Sequence, residues 1–301
     1  MPRIAVVGHL TIDEIEIEGR SYTSMGGVSC YASLAARALG AGVKIFTRIG
    51  RDFPREYLRV LEEAGIDLSG VISGEDENST RFKLTYTGDQ RRLRLLSRAG
   101  SLSLEEIACE LQSFDAVYLG PVAWEMNLDS IIELFSRVSR PVLDPQGLMR
   151  VADEMGLIEL KKIDLEMLRP WILRLSREEA EVLTRSADPL EMLDRLMGVG
   201  AEITILTMGR LGSLVARGHE ILKVPCYETP IFDSTGAGDV FGGAFTTSYL
   251  DSRDLWWAAA MASAMASIVV EGPSFKPLIS PGVGEEAERR ARIILERIER
   301  L

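Results

Sequence analysis

Short, continuous runs of aliphatic and β-branched residues recur along this 301-residue chain, each set off by a helical pattern. No other feature narrows the fold as much. "RIAVVG" reads as a strand, "VSCYASLAARALG" as a helix closed by Gly40, and "VKIFTRIG" as a second strand. "FPREYLRVLEEAG" then reads as a helix with Pro54 in its first turn and Gly65 at its end. The rhythm returns at "AVYLG", "PVLDPQ", "WILRLS" and "ITILTMG", each followed by a helix candidate. Strands without polar alternation are buried on both faces, and the intervening helices supply the cover. The expected fold is α/β, doubly wound, on a mainly parallel sheet flanked by helices.

Two segments break this rhythm. "DEIEIEGR" and "STRFKLTYTGDQRRLRLLSRAG" alternate polar and apolar residues, as antiparallel strands with one solvated face do. They predict a small β-sheet lid inserted at about 13–22 and 78–98 of a single domain spanning 1–301. The cluster Arg91, Arg92 and Arg94 fits a solvated strand face or, alternatively, a site for a substrate phosphate. At the C-terminus "EEAERRARIILERIERL" reads as an amphipathic helix with Ile293, Ile294, Ile298 and Leu301 on one side. Glu and Arg in i,i+4 pairs occupy the other side.

A formal charge of −11 argues against nucleic acid as a partner, since that role needs a surplus of Lys and Arg. Cys30, Cys109 and Cys226 are odd in number and widely spaced, as reduced thiols of a cytoplasmic protein are. His9 and His219 do not combine with them at any usual zinc-ligand spacing. The longest apolar stretch, "LWWAAAMASAMASIVV", is shorter than the roughly 20 residues of a membrane span and carries serines, so a buried helix is expected and no membrane partner.

One segment stands out chemically. "FDSTGAGDVFGGAF" joins an extended stretch, "VPCYETPIFD", to a helix, "VFGGAFTTSYL". A helix N-terminus carries unpaired N–H groups and the positive end of the dipole, and residues lacking side chains let an anion reach them. Gly236, Ala237 and Gly238 therefore suit a phosphoryl group. Asp239 is then anomalous, a carboxylate beside an anion site, unless it accepts the proton of an attacking hydroxyl. The other reading is a capped helix whose glycines allow close packing. Spacing alone leaves both open.

"DSTGAGD" resembles the C-terminal signature of the ribokinase-like (PfkB) sugar and nucleoside kinases. "GHLTIDEI", "MGGVSCYASLAARALG", "RIGRDFP", "LSREEAEVL" and "LTMGRLGS" are similar to further motifs of that family, in the right order along nearly the whole chain. The resemblance implies an ATP- and Mg²⁺-dependent kinase of a small polyol or sugar, with Asp239 as catalytic base and residues 236–238 as the anion hole. It implies that Glu179 holds Mg²⁺, and that Ser176, Thr207, Gly209, Gly212 and Ser263 lie on the nucleotide side. On the acceptor side it points to Asp13, Gly26 and Gly27.

The chain also departs from the family pattern. Ser176 stands where Asn is usual, Tyr31 replaces a sugar-contacting Asn, and Gln146 of "LDPQGLMR" replaces another. Asp144 and Arg150 of that segment are candidates for the phosphates or the acceptor. "GGVSCYAS", "DPQGLMR", "LSREEA" and "SIVVEGPSF" are similar to the myo-inositol kinase branch, which implies a cyclic polyol ahead of ribose, fructose or a nucleoside. A phosphorylated sugar would call for Arg81, Arg94 or Arg98 of the lid. A non-catalytic ligand-binding relative is the rival class. A dinucleotide oxidoreductase is weaker, because "VVGHLTID" stands where GxGxxG would follow the first strand. Dimerisation through the lid is a further expectation, since exposed sheet edges pair.

Overall fold

The alternation of strands and helices is laid out in the computed structural model, which describes residues 1–87, 90–165 and 167–301. The chain begins β1 (Arg3–Val7), β2 (Thr11–Ile17), β3 (Arg20–Gly26), α1 (Val28–Ala38), β4 (Gly42–Gly50), α2 (Arg55–Glu63), β5 (Asp67–Gly74), β6 (Thr80–Thr87) and β7 (Gln90–Ser97). It continues α3 (Leu104–Leu111), β8 (Ala116–Leu119), α4 (Leu128–Phe135), β9 (Pro141–Leu143), α5 (Gln146–Met149), β10 (Arg150–Ala152), β11 (Ile158–Leu160) and β12 (Ile172–Ser176). The last third comprises α6 (Arg177–Thr184), α7 (Pro189–Met197), β13 (Ile203–Thr207), β14 (Ser213–Arg217), β15 (Glu220–Val224), α8 (Ala237–Ser252), α9 (Leu255–Val269), α10 (Val283–Leu295) and β16 (Glu299–Arg300).

Ten strands form the central sheet in the order β16-β15-β14-β13-β12-β9-β8-β1-β4-β5. The seven from β13 to β5 pair in parallel, with Val6 of β1 between Ile45 of β4 and Tyr118 of β8. Both faces are apolar, so each is buried by a layer of helices. One core packs around α1, α8, α9 and α10, and the other around α3, α4, α6 and α7. The fold is the expected α/β one, a mainly parallel sheet covered on both faces by helices.

Three details differ from the expectations drawn from sequence. After β13 the chain makes a single 3₁₀ turn and does not enter an α-helix. It folds back through Gly209–Leu211 into the antiparallel strands β14 and β15, joined at Gly218. The polar–apolar pattern of "SLVARGHEILKV" suits such an edge hairpin. The terminal helix stops at Leu295, so Ile298 lies beyond it and Leu301 is exposed. Pro54 is the N-cap of α2 rather than a residue of its first turn, a place where its missing N–H costs nothing.

The lid is a four-stranded sheet, β3-β2-β6-β7. Its hairpins are antiparallel, but β2 and β6 run parallel, because β3, α1, β4, α2 and β5 are completed between them. Asp13, Ile15, Phe82, Leu84 and Tyr86 share the inward face; Glu14, Glu16, Arg81 and Lys83 share the outward one, where Arg81 pairs with Glu14 and Lys83 with Glu16. Arg91, Arg92 and Arg94 are exposed; Arg92 and Arg94, opposite Thr85 and Lys83, share the outward face, whereas Arg91 lies opposite Tyr86 on the inward one. His9 ties lid to body, its Nδ1 2.7 Å from the Thr80 hydroxyl and its Nε2 2.9 Å from the Gly100 carbonyl.

Candidate active site

The glycine-rich turn sits at the N-terminus of α8. Gly236 is the N-cap, in the left-handed region at φ 76°, and Asp239 lies in the first turn. The surroundings show why glycine recurs here. A Cβ at Gly236 would overlap the Tyr31 ring, one at Gly238 the Arg174 guanidinium, one at Gly242 the Tyr118 hydroxyl, and one at Gly243 the Ala32 backbone. Close packing thus accounts for these four glycines, and within the turn the Ala237 N–H donates to the Ser234 carbonyl at 3.3 Å.

A network of buried charge lies against this turn. Gln146, at the start of α5, donates from Nε2 to Oδ1 of Asp239 at 2.9 Å. Arg150 donates to the Gln146 carbonyl oxygen, which fixes the amide with its NH₂ toward Asp239. A second Arg150 nitrogen reaches the Val122 carbonyl at 2.9 Å, and the guanidinium lies 5.5 Å from the centre of the Phe82 ring in the lid. Beneath them Arg174, in the middle of β12, donates to Asp144 at 2.8 Å and to the Thr207 hydroxyl at 2.8 Å. Its guanidinium is 4.0 Å from Asp239 Oδ1.

Burial pushes the carboxyls of Asp239, Asp144 and Glu179 above the ordinary range, opposed in each by Arg174. Burial acts to lower the Arg174 pKa, but Asp144, Glu179 and Asp239 outweigh it and hold the guanidinium charged. Three carboxyls thus share a dry space with Arg174 and Arg150. Such a space favours an incoming cation and tolerates phosphates only where guanidinium and helix N–H groups face them.

Asp13 lies across this space on β2, buried, with its Oδ1 accepting from the Thr11 hydroxyl at 2.7 Å. Burial pushes its carboxyl up to about 7, with Arg150 pulling down and Asp239 and Asp233 pushing up. Gly26, one strand away, leaves room that a Cβ would take from the Asp13 carboxylate. Gly27 caps α1 at φ 85°. Tyr31 stands elsewhere than expected. Its ring is 1% exposed beneath Gly236, and its hydroxyl is 2.8 Å from Ser274 Oγ, so it supports the turn from below. Asp144, held by Arg174, is fully buried.

On the other side Ser176 caps α6, and its exchange with Glu179 forms a capping box. The Ser176 N–H donates to Glu179 Oε2 at 2.8 Å and the Glu179 N–H to Ser176 Oγ at 3.3 Å. Glu179 is therefore buried and oriented, not one more exposed acid, and Ser replaces Asn without loss of the cap. A carboxylate held by one oxygen suits a hydrated Mg²⁺ shared with donor phosphates. Among the described residues no group of three or more His, Cys, Asp or Glu could hold a metal unaided. Thr207 accepts from Arg174 and donates to the Leu175 carbonyl at 3.2 Å. Gly209 has open space around its Cα, whereas a Cβ at Gly212 would strike the Val224 carbonyl. Ser263 donates to the Pro225 carbonyl at 2.8 Å.

Three contributors carry little signal in the sequence. Arg174 shows there only as a lone charge inside the apolar run "WILRLS". Tyr22 and Tyr86 of the lid reach the turn itself: Tyr22 donates to Asp233 at 2.6 Å, and the Tyr86 and Thr235 hydroxyls are 2.7 Å apart. Asp233 is buried, and accepts from the Thr235 and Ser274 N–H groups as well.

Comparison with known proteins agrees with this fold. A profile of the pfkB family of carbohydrate kinases matches residues 1–277. A cytidine kinase of Thermococcus kodakarensis is 26% identical over 262 residues, 84% of this chain and 90% of that protein. Among solved structures, a pyrophosphate-dependent kinase of the ribokinase family, complexed with a pyrophosphate analogue and myo-inositol, superposes with a TM-score of 0.80 at 23% identity. That match covers 90% of this chain and 96% of the other. The ribokinase of Arabidopsis thaliana complexed with ribose and ATP superposes at 0.77 and 19% identity, over 98% and 99% of the two chains. Among the described residues no helix is long and apolar enough to cross a membrane.

Proposed function

The chain belongs to the pfkB family of carbohydrate kinases, and from that premise we propose that it phosphorylates a hydroxyl of a small cyclic polyol, myo-inositol or a close analogue, with ATP as donor and Mg²⁺ bound. The observation that carries this reading is Asp239, set in the first turn of α8 with Gln146 on Oδ1 and, among the described residues, no hydrogen-bond partner on Oδ2, which is left for an acceptor hydroxyl.

In the proposed reaction Asp239 accepts the hydroxyl proton as the acceptor oxygen forms its bond to phosphorus and the donor's bridging oxygen leaves. The N–H groups of residues 236–238 hold the negative charge on the transferring phosphoryl group. Arg174, under that turn, opposes the upward push of burial on the Asp239 carboxyl and adds positive charge. Glu179 would hold Mg²⁺, which neutralises the donor phosphates when bound. Asp13 accepts hydrogen bonds from paired hydroxyls of the acceptor, and the apolar inner face of the lid excludes water. Thr207, Gly209, Gly212 and Ser263 border the donor.

The "D-x-Q-x-L-x-R" segment and the structural likeness to a myo-inositol complex support the polyol. A nucleoside is the second reading, favoured by the cytidine kinase relative. The reading also includes a dimer formed along β3. The outer edge of β7 is bridged to Leu157, whereas that of β3 has no partner strand among the described residues.

The test is a phosphorylation screen with ATP or pyrophosphate as donor against myo-inositol, ribose, fructose, fructose 6-phosphate and cytidine. Turnover on myo-inositol that falls by roughly 10²–10⁴-fold in Asp239→Asn, with donor binding kept, is the expected result. Preference for cytidine would move the chain to the nucleoside reading. Unchanged turnover in Asp239→Asn would remove the base assignment.

A further inference from the structure

A second depression lies at the far end of α8, at the N-terminal edge of the parallel strands. It encloses about 520 Å³ and is lined by Ser139, Arg140, Trp171, Glu202, Arg217, Tyr249 and Arg253. Arg140 precedes β9, Trp171 precedes β12, Glu202 precedes β13, and Arg253 is the C-cap of α8. The 16 residues of α8 place it about 24 Å from the glycine turn at 1.5 Å per residue. This edge of the sheet takes no part in the proposed reaction.

Two buried rings form the floor, Trp171 and Tyr249, with centroids 5.7 Å apart. Three guanidiniums stand over them. Arg140 is 5.9 Å from the Trp171 centroid, Arg217 is 5.8 Å from that of Tyr249, and Arg253 is within 5.9 Å of the first and 6.0 Å of the second. Because Arg253 shares a ring with each of the others, the three cations are gathered around one point.

Only Glu202 opposes them, 3.4 Å from Arg217. Among the described residues neither Arg140 nor Arg253 has a carboxylate partner; Arg140 makes one hydrogen bond, to the Asp115 carbonyl at 3.2 Å, and Arg253 only its ring contacts. In a chain of formal charge −11, three clustered arginines with one acid among them are an anomaly. A cation over a ring face keeps its N–H groups for an anion, and a guanidinium fork matches phosphate oxygens.

We propose that this depression is a second anion site, distinct from the active site, and that it takes a small phosphate polyanion, the di- or triphosphate group of an inorganic or nucleoside compound. The faces of both rings are occupied by the arginines, so recognition is through charge and not through stacking of a base. The site does not depend on the kinase reading.

The experiment titrates the full chain calorimetrically with inorganic tripolyphosphate, without divalent cation, at about 0.15 M salt, where the Debye length is near 8 Å and an open surface patch is screened. Wild type is expected to bind one equivalent more than Arg140→Ala/Arg253→Ala, with thermal unfolding and turnover alike in the two. If the double variant does not fold, Arg253→Gln alone is expected to weaken the extra binding at least tenfold. Equal stoichiometry, or unchanged affinity in Arg253→Gln, means that the arginines merely cover the rings and overturns the site. A parallel titration with ATP should match tripolyphosphate at this site; a tenfold preference for ATP would overturn recognition by charge alone.

Discussion

Arg174 and Asp144 form an ion pair at 2.8 Å, both side chains withdrawn from solvent beneath the first turn of α8. The pair joins β12 to the end of β9, and the same guanidinium touches Thr207 of β13 and faces Asp239. Among the described residues its Nε finds no partner, so the arginine is not placed there for its hydrogen bonds alone. What distinguishes its position is the carboxyl on either side of it, one structural and one catalytic in the proposed reaction.

Removing one member of a buried pair leaves the other charged in a dry place, a loss of about 3–5 kcal/mol in unfolding free energy. Arg174→Met is expected to show that loss in urea unfolding. Arg174→Met/Asp144→Leu should recover most of it, since an apolar pair can replace a buried ionic one. Turnover should not recover with stability, because Asp239 has lost its nearest cation. A double variant with normal turnover would reduce Arg174 to a structural role.

The Asp13 carboxyl titrates near 7 in the folded chain against an ordinary value of 3.8, burial being the main cause. Between those values the folded state holds a proton that the unfolded state gives up, so this group's contribution to stability is full below about 4 and is lost as pH rises through 7. Over that interval the loss accumulates at about 1.4 kcal/mol per pH step of one, which bounds it at about 4 kcal/mol. Asp13→Asn should therefore be more stable than wild type at pH 8 and no more stable at pH 4 in denaturant titrations. The acceptor needs the opposite state: KM for the polyol should fall as pH rises from 6 to 8, and Asp13→Asn should abolish that dependence while raising KM.

Two lid tyrosines hold the turn directly, so lid position and the glycine turn are mechanically joined. Tyr22→Phe removes a hydrogen bond to a carboxylate, worth about 1.5–3 kcal/mol, and leaves the buried Asp233 one donor short. Tyr86→Phe removes a neutral bond to Thr235, worth about 1 kcal/mol. Hydrogen exchange should report faster opening of β2 and β3 in the first variant than in the second. Equal protection in both variants and wild type would show that the lid is held by its apolar face alone.

Much of this fold is legible in the sequence because period and composition dictate it. Apolar runs with no alternation become buried parallel strands, and alternating ones become the lid. The glycine turn lies where an extended stretch meets a helix, so spacing alone puts Asp239 in a first turn. The illegible parts depend on contacts far apart in sequence. The parallel pairing of β2 with β6 depends on where the intervening β-α units dock, and no local pattern encodes that. Arg174 looks like a flaw in a strand until Asp144 and Asp239, 30 and 65 residues away, are brought around it. Tyr31 stands at a position where family resemblance implies a substrate contact, yet its size also suits the space that Gly236 leaves.

The glycines of "STGAGDVFGG" divide by what a side chain would meet, and this separates packing from chemistry. At Gly243 an added methyl overlaps the Ala32 backbone, which moves only if α1 and α8 separate. Overpacking of that kind costs about 1–3 kcal/mol. Gly243→Ala should lower the unfolding midpoint while each folded molecule turns over normally, since the added methyl meets the α1 backbone and not Asp239. At Gly238 the methyl overlaps the Arg174 guanidinium, a side chain able to shift at the expense of its bonds to Asp144 and Thr207. There the fold should survive better than the reaction. Turnover of Gly238→Ala is expected to drop by about 10²-fold, the scale on which loss of one transition-state donor is felt. Unfolding midpoints and active-site-normalised rates of the two variants, measured side by side, decide it. If both lose stability and neither loses rate, the turn is a packing device and the anion hole lies elsewhere.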